Sequence, residues 1–241
     1  MRRSVAEMIV RDPEKYAHHD RIFLNNPVVM QGMGLAPLVV LATSGKNALM
    51  LAVSVALLLT PSRMLACLLS RAFPLRDEHP AQEELEKKLL PRGLIYSGSA
   101  AVVYLAAYPI LNALFGVDLL ALGIYLPMLV VEPLLIYRFG RVQETMHKAV
   151  SKGLRITLGY GLLLLLLGCV REWLALGTVF GLPLLSRPVL PMAGMPAGGF
   201  IVLGILCAVW RALAQHRKNY LKTEARNVVA VHHQKEANHE Q

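Results

Sequence analysis

Six apolar runs long enough to cross a lipid bilayer, at about 28–44, 47–70, 94–116, 119–137, 153–176 and 197–215, dominate this 241-residue chain. A hydrocarbon core of roughly 30 Å takes about 20 apolar residues in helical form. Lipid offers no partner to a backbone N–H or C=O, so each crossing segment must pair its own, which leaves helices or a closed barrel. A barrel would show stretches of roughly ten residues with alternating polarity. Here the runs are continuous Leu, Val and Ala. The expectation is an all-α integral membrane domain of six transmembrane helices over 27–216, with a cytoplasmic N-terminal segment at 1–26 and a polar cytoplasmic tail at 217–241. Mean hydropathy of +0.46 and only 17% charged residues exclude an ordinary water-soluble domain.

The formal charge of +9 invites a nucleic-acid reading, which the distribution of the charges removes. With the N-terminus inside, 21 of the 25 Lys and Arg fall in inside segments: five before the first run, five in 71–92, five in 138–155 and six from Arg211 onward. Lys46, Arg171 and Arg187 lie outside, and Arg63 lies within the second run. That asymmetry predicts both termini in the cytoplasm of a bacterial inner membrane, and no nucleic-acid partner. Residues 1–26 are interrupted by Arg11, Asp12, Glu14 and Lys15, so no cleavable signal peptide is read there and the first span does the targeting.

Two runs share a local pattern, Leu35-Ala36-Pro37-Leu38-Val39-Val40 in the first and Val131-Glu132-Pro133-Leu134-Leu135-Ile136 in the fourth. A proline inside a helix removes a donor and crowds the preceding turn, so both spans are expected to be interrupted there. A three-plus-three repeat would insert its second copy upside down and bring the two interrupted helices together near the midplane.

Longer stretches carry a family resemblance. Asn25-Asn26, Met33-Gly34-Leu35-Ala36-Pro37, Asn47-Ala48-Leu49, Leu122-Gly123-Ile124-Tyr125-Leu126-Pro127, Val170-Arg171-Glu172-Trp173, Gly177-Thr178-Val179-Phe180 and Pro196-Ala197-Gly198-Gly199-Phe200-Ile201 occur in order over residues 22–220. In this order and spacing the chain resembles the RnfE/RsxE and NqrD family of membrane subunits. The resemblance implies a subunit of an Rnf-type complex that couples electron transfer between ferredoxin and NAD to sodium-ion or proton translocation. It also implies a homologous RnfA-like partner. Family members contribute two cysteines to an intramembrane iron-sulfur cluster, whose iron favours soft thiolate donors. Those positions are Ala36 and, by ungapped reading, Pro133, or Glu132 one residue earlier. Neither alanine nor proline can ligate iron, so the cluster is expected to be lost and no cofactor is assigned.

Other polar and sulfur groups have two readings each. Glu132 is an ion-path or proton-relay group, or a carboxylate near the cytoplasmic end paired with Arg138 or Arg63. Arg63 reads as snorkelling to the interface. Cys67, Cys169 and Cys207 stand alone in apolar runs and read as packing residues, as do Met30 and Met33. The pairs His18-His19 and His232-His233 read as solvated, so no metal site is assigned. Gly32, Gly34, Gly198 and Gly199 are read as helix-packing positions. The loop 177–194, with Pro183, Pro188 and Pro191, is a surface or re-entrant turn, and the tail from Tyr220 is disordered or helical only at its start. No Walker loop, GxGxxG or activated nucleophile is present, so no catalytic residue is named. Beside the redox-complex reading stand a stand-alone secondary transporter with the same fold and a purely structural assembly subunit.

Overall fold

The computed structural model describes Ile9, Asp20 and residues 22–72, 82–129 and 146–239. The first apolar run forms two short helices, α1 (Pro27–Gln31) and α2 (Leu35–Leu41). Asn26 caps α1 by accepting the Val28 N–H, and Pro27 occupies the first turn, where its missing donor costs nothing. The helix ends at Gly32 (φ 68°) and restarts after Gly34 (φ 72°), both left-handed, a conformation that glycine adopts without steric cost. The interruption therefore lies at the glycines and not at Pro37. Pro37 falls in the first turn of α2, where no N–H is needed, so the expected proline break is corrected; Gly32 serves the turn and not packing, whereas Gly34 both turns the chain and packs against Tyr160.

Among the described residues four helices are long and apolar enough to cross a membrane, so the chain is an all-α membrane protein. They are α3 (Gly45–Ala72), α4 (Gln82–Phe115, its apolar stretch running on through a 3₁₀ turn, Gly116–Leu122), α6 (Met146–Leu176) and α7 (Pro196–His239). The short helix α5 (Tyr125–Met128) opens the fourth apolar run. The proposed break at Glu132-Pro133 lies outside the described residues. Helix α7 continues to His239, which corrects the expected disorder of the tail; Ala225 and neighbouring Val228 and Val229 pack there against Ile9.

Helices α3 and α6 form the centre. They run antiparallel with three glycines of α6 along the seam. A side chain on Gly168 would strike Ala48 and the Ser44 carbonyl, one on Gly161 would touch Ala52, and one on Gly153 would press on Thr60 and Arg63. Small residues at such contacts allow backbones to approach closely, which is how helices associate when lipid is as apolar as leucine. Around this seam Leu51, Leu58 and Leu59 meet Ile156, Leu163, Leu164 and Leu167 in one buried cluster. Half of the apolar stretch of α3 and of α6 is buried, against 17% for α4, which therefore forms the periphery. Arg63 is buried beside Gly153, so the snorkelling reading is replaced by a position inside the helix contact.

Candidate functional site

The interrupted helix is held by α6 at three levels. At the entry to α1, the buried Asn26 amide donates to the Ile22 carbonyl at 3.1 Å and to the Gly159 carbonyl of α6 at 2.9 Å. At the interruption, the fully buried Tyr160 hydroxyl donates to the Gly34 carbonyl at 3.0 Å, and a Cβ on Gly34 would come within 2.8 Å of the tyrosine ring. At the exit from α2 stands Arg171, about 16 Å further along α6 by helical rise. From the other side α7 contributes Trp210, whose indole N–H donates to the Phe23 carbonyl at 3.0 Å with the two rings 5.2 Å apart. Arg211 reaches the Met30 carbonyl at 3.3 Å.

Arg171 is completely buried and all five of its N–H groups have a carbonyl acceptor. Nε donates to Ala193, one terminal nitrogen to Val39 (2.6 Å) and Ala42 (3.0 Å), and the other to Gly194 (3.1 Å) and Met195 (3.2 Å). Val39 and Ala42 belong to the C-terminal end of α2, whose carbonyls have no helical partner and carry partial negative charge. The other three lie in and after a 3₁₀ turn (Pro191–Gly194) that leads into α7. The guanidinium lies against Gly199 of α7, where a Cβ would be 2.8 Å from its central carbon, so that glycine is required for the arginine to seat.

Glu172, the next residue, does the converse. One carboxylate oxygen accepts the Gly45 N–H at the start of α3 at 2.7 Å; the other accepts the Thr178 hydroxyl at 2.9 Å and the Gly181 N–H at 2.7 Å. Adjacent helical residues point in different directions. One cation thus meets the negative end of α2 and one anion meets the positive end of α3, each matched to the local dipole. Thr178 and Gly181 belong to a small hairpin of β1 (Thr178–Val179) and β2 (Leu182–Pro183).

Of the residues singled out in the sequence, Ala36 lies exposed in the first turn of α2, next to the exposed Gly32, on the open side of the interruption. Glu132 and Pro133 lie outside the described residues. Cys67, Cys169 and Cys207 lie on α3, α6 and α7, and all three are free thiols. Among the described residues no three His, Cys, Asp or Glu side chains come together in a metal-binding group. The residues at this interruption do not fit an iron-sulfur cluster, and no chemical step through one is derived. Met30 and Met33 pack against the core as expected. Arg171 and Glu172 were visible in the sequence only as part of a resemblance; a buried opposite-charge pair at adjacent helix positions was the signal available.

Long apolar helices packed as an antiparallel pair, with an interrupted and capped helix held against them, define a polytopic all-α membrane protein. Residues 16–207 match the family described as Rnf-Nqr subunit, membrane protein, and the chain belongs to that family. Its relatives include proteins named as the E component of an ion-translocating oxidoreductase complex. That of Shewanella oneidensis strain MR-1 is 30% identical over 206 residues, covering 78% of this chain and 82% of the relative. That of Shewanella putrefaciens strain CN-32 is 28% identical over 216 residues, covering 83% and 87%. A further one, from Shewanella sp. strain ANA-3, is 30% identical over 205 residues, covering 78% and 82%.

Proposed function

We propose that this chain is the E-type membrane component of an Rnf-like complex that couples electron transfer between ferredoxin and NAD to movement of sodium ions or protons. The observation that carries this reading is the interruption at Gly32–Gly34 held by Asn26, Tyr160 and Arg171, in a chain whose relatives are named for an ion-translocating oxidoreductase. Immobilised backbone at membrane depth is what an ion path requires, because carbonyls there can replace hydration water. The finer architecture follows the same reading: six spans as a three-plus-three inverted repeat, a second interrupted helix at Glu132-Pro133, and both termini in the cytoplasm of the bacterial inner membrane. A homologous RnfA-like subunit packs on the open side of the interruption, where Ala36 is exposed. With alanine at that position, this chain contributes no thiolate from its first interrupted helix, and its part is to line or gate the ion path.

Affinity purification from gently solubilised membranes tests the reading. Flavin- and cluster-bearing subunits with an RnfA-like partner are expected in the eluate, with iron and labile sulfide assayed alongside. Recovery of this chain alone, free of iron, would overturn it in favour of a stand-alone transporter. For Glu132 the measurement is ion flux in Glu132→Gln: a role in the path predicts a loss of roughly tenfold or more, the scale of a lost charge interaction at membrane depth, and unchanged flux removes the residue from it.

A further inference from the structure

The segment joining α6 to α7 is rich in large apolar side chains yet is not a spanning helix. Residues 177–195 contain a single charge, Arg187, and three prolines, and no carboxylate occurs between Glu172 and Glu224. Its large apolar side chains point outward: Leu182 is 70% exposed, Leu184 65% and Val189 61%, with Phe180, Leu190 and Met192 beside them. A soluble surface rarely carries such a patch without something to cover it.

The backbone contacts set the depth at which the patch sits. The segment folds back alongside the last turn of α6 and does not stand off from it. Leu190 N–H donates to the Leu174 carbonyl at 2.7 Å, and the N–H groups of Leu184 and Leu185 both reach the Gly177 carbonyl at 2.9 Å. Gly194 faces Ala175, and Gly177 lies against the backbone of Leu185 and Arg187. The half-exposed Trp173 marks the same level of α6, and indole side chains collect at the bilayer interface. The exposed apolar surface then continues without a polar break onto Phe200, Ile201, Ile205 and Val209 of α7. At the start of α3 the exposed surface is mixed: Lys46 and Asp118 pair at 2.8 Å, and Val117 and Leu120 are exposed beside Asp118.

We propose that the segment 181–192 is a membrane-interface anchor. Leu182, Leu184 and Val189 insert among the acyl chains of the adjoining leaflet, and Arg187 extends to a lipid phosphate, as long cationic side chains do at such depths. The backbone bonds to Leu174 and Gly177, with the Glu172 contact to Gly181, pair four of the segment's N–H groups and so lower the cost of insertion.

Nitroxide labels at Leu184→Cys and Val189→Cys test this. The native cysteines would be replaced by alanine and the protein reconstituted in phosphatidylglycerol-containing nanodiscs with whatever subunits co-purify. Lipid contact predicts collision with oxygen roughly threefold or more above that with a water-soluble nickel chelate, since oxygen partitions into the hydrocarbon and the chelate does not. Dominant nickel collision would make the segment aqueous, and low collision with both would mean that a protein partner covers it; either result overturns the anchor. If the cysteine-free protein does not accumulate, Leu184→Trp in the native background gives the same information. Its added emission is quenched by brominated acyl chains if the anchor is correct and stays unquenched if it is not.

Discussion

The two ends of helix α6 treat buried polar groups in opposite ways. At the Arg171 end every donor and acceptor of a buried charged pair is used, on five carbonyls and three N–H or O–H donors. At the other end, near the proline in α3, the buried hydroxyls of Thr157 and Ser62 have no hydrogen-bond partner among the described residues. Lipid gives helices little hydrophobic reason to associate, so glycine-mediated contact and polar bonds decide where the bundle is rigid. The saturated end fixes the exit of α2 and the entries of α3 and α7 at one point. At the other end the Gly153 contact, apolar packing and the interactions of Arg63, Lys152 and Arg155 hold the helices, and two buried hydroxyls are left over.

Substitutions can break or sharpen this contrast. Arg171→Leu should have the largest effect, about 3–5 kcal/mol, because it leaves buried carbonyls without donors. Loss of folded protein from membranes, read by fluorescence-detected size exclusion, is the expected result. Arg171→Lys should fail almost as badly, since three donors cannot serve five acceptors. Gly34→Ala combines a left-handed backbone with a clash on Tyr160, and a loss of about 2–3 kcal/mol in thermal unfolding is expected. A Gly34→Ala protein as stable as the parent would mean that the interruption is not held as described. Glu172→Gln keeps an acceptor and loses the charge at the start of α3, so about 1–2 kcal/mol is expected, with the hairpin becoming more open to protease. Tyr160→Phe removes one hydrogen bond, about 1 kcal/mol. Thr157→Val should be the smallest change and of the opposite sign, neutral to about 1 kcal/mol stabilising, because it removes a hydroxyl with no partner. A clear destabilisation there would erase the difference between the two ends.

The long helices were legible because span length is a property of local sequence. Runs 47–70, 94–116 and 153–176 coincide with α3, α4 and α6, and 197–215 opens α7. The interruption was legible in existence and misplaced in cause. Pro37 is the more conspicuous breaker, yet a proline in a first turn is harmless, whereas two nearby glycines can reverse the chain. Of the clamp, the Arg171-Glu172 pair was legible as a motif but its partners were not. Arg171 bonds Val39 and Ala42 from about 130 positions away, and no periodicity encodes such a contact. The tail was misread because its polarity resembles a solvated coil, while a helix already nucleated by a membrane span extends at little further cost.

That last helix sets a length scale. Its 44 residues form one uninterrupted rod of about 66 Å, more than twice the thickness of a bilayer core. Its first turns are pinned at Gly199 by the arginine, and Ala225, further along, meets Ile9. A tilt of only about 5° about the pinned end would swing the other by about 6 Å, given the helical rise. The length of the rod alone turns a small change of angle at its first turns into a displacement of several ångström at its other end.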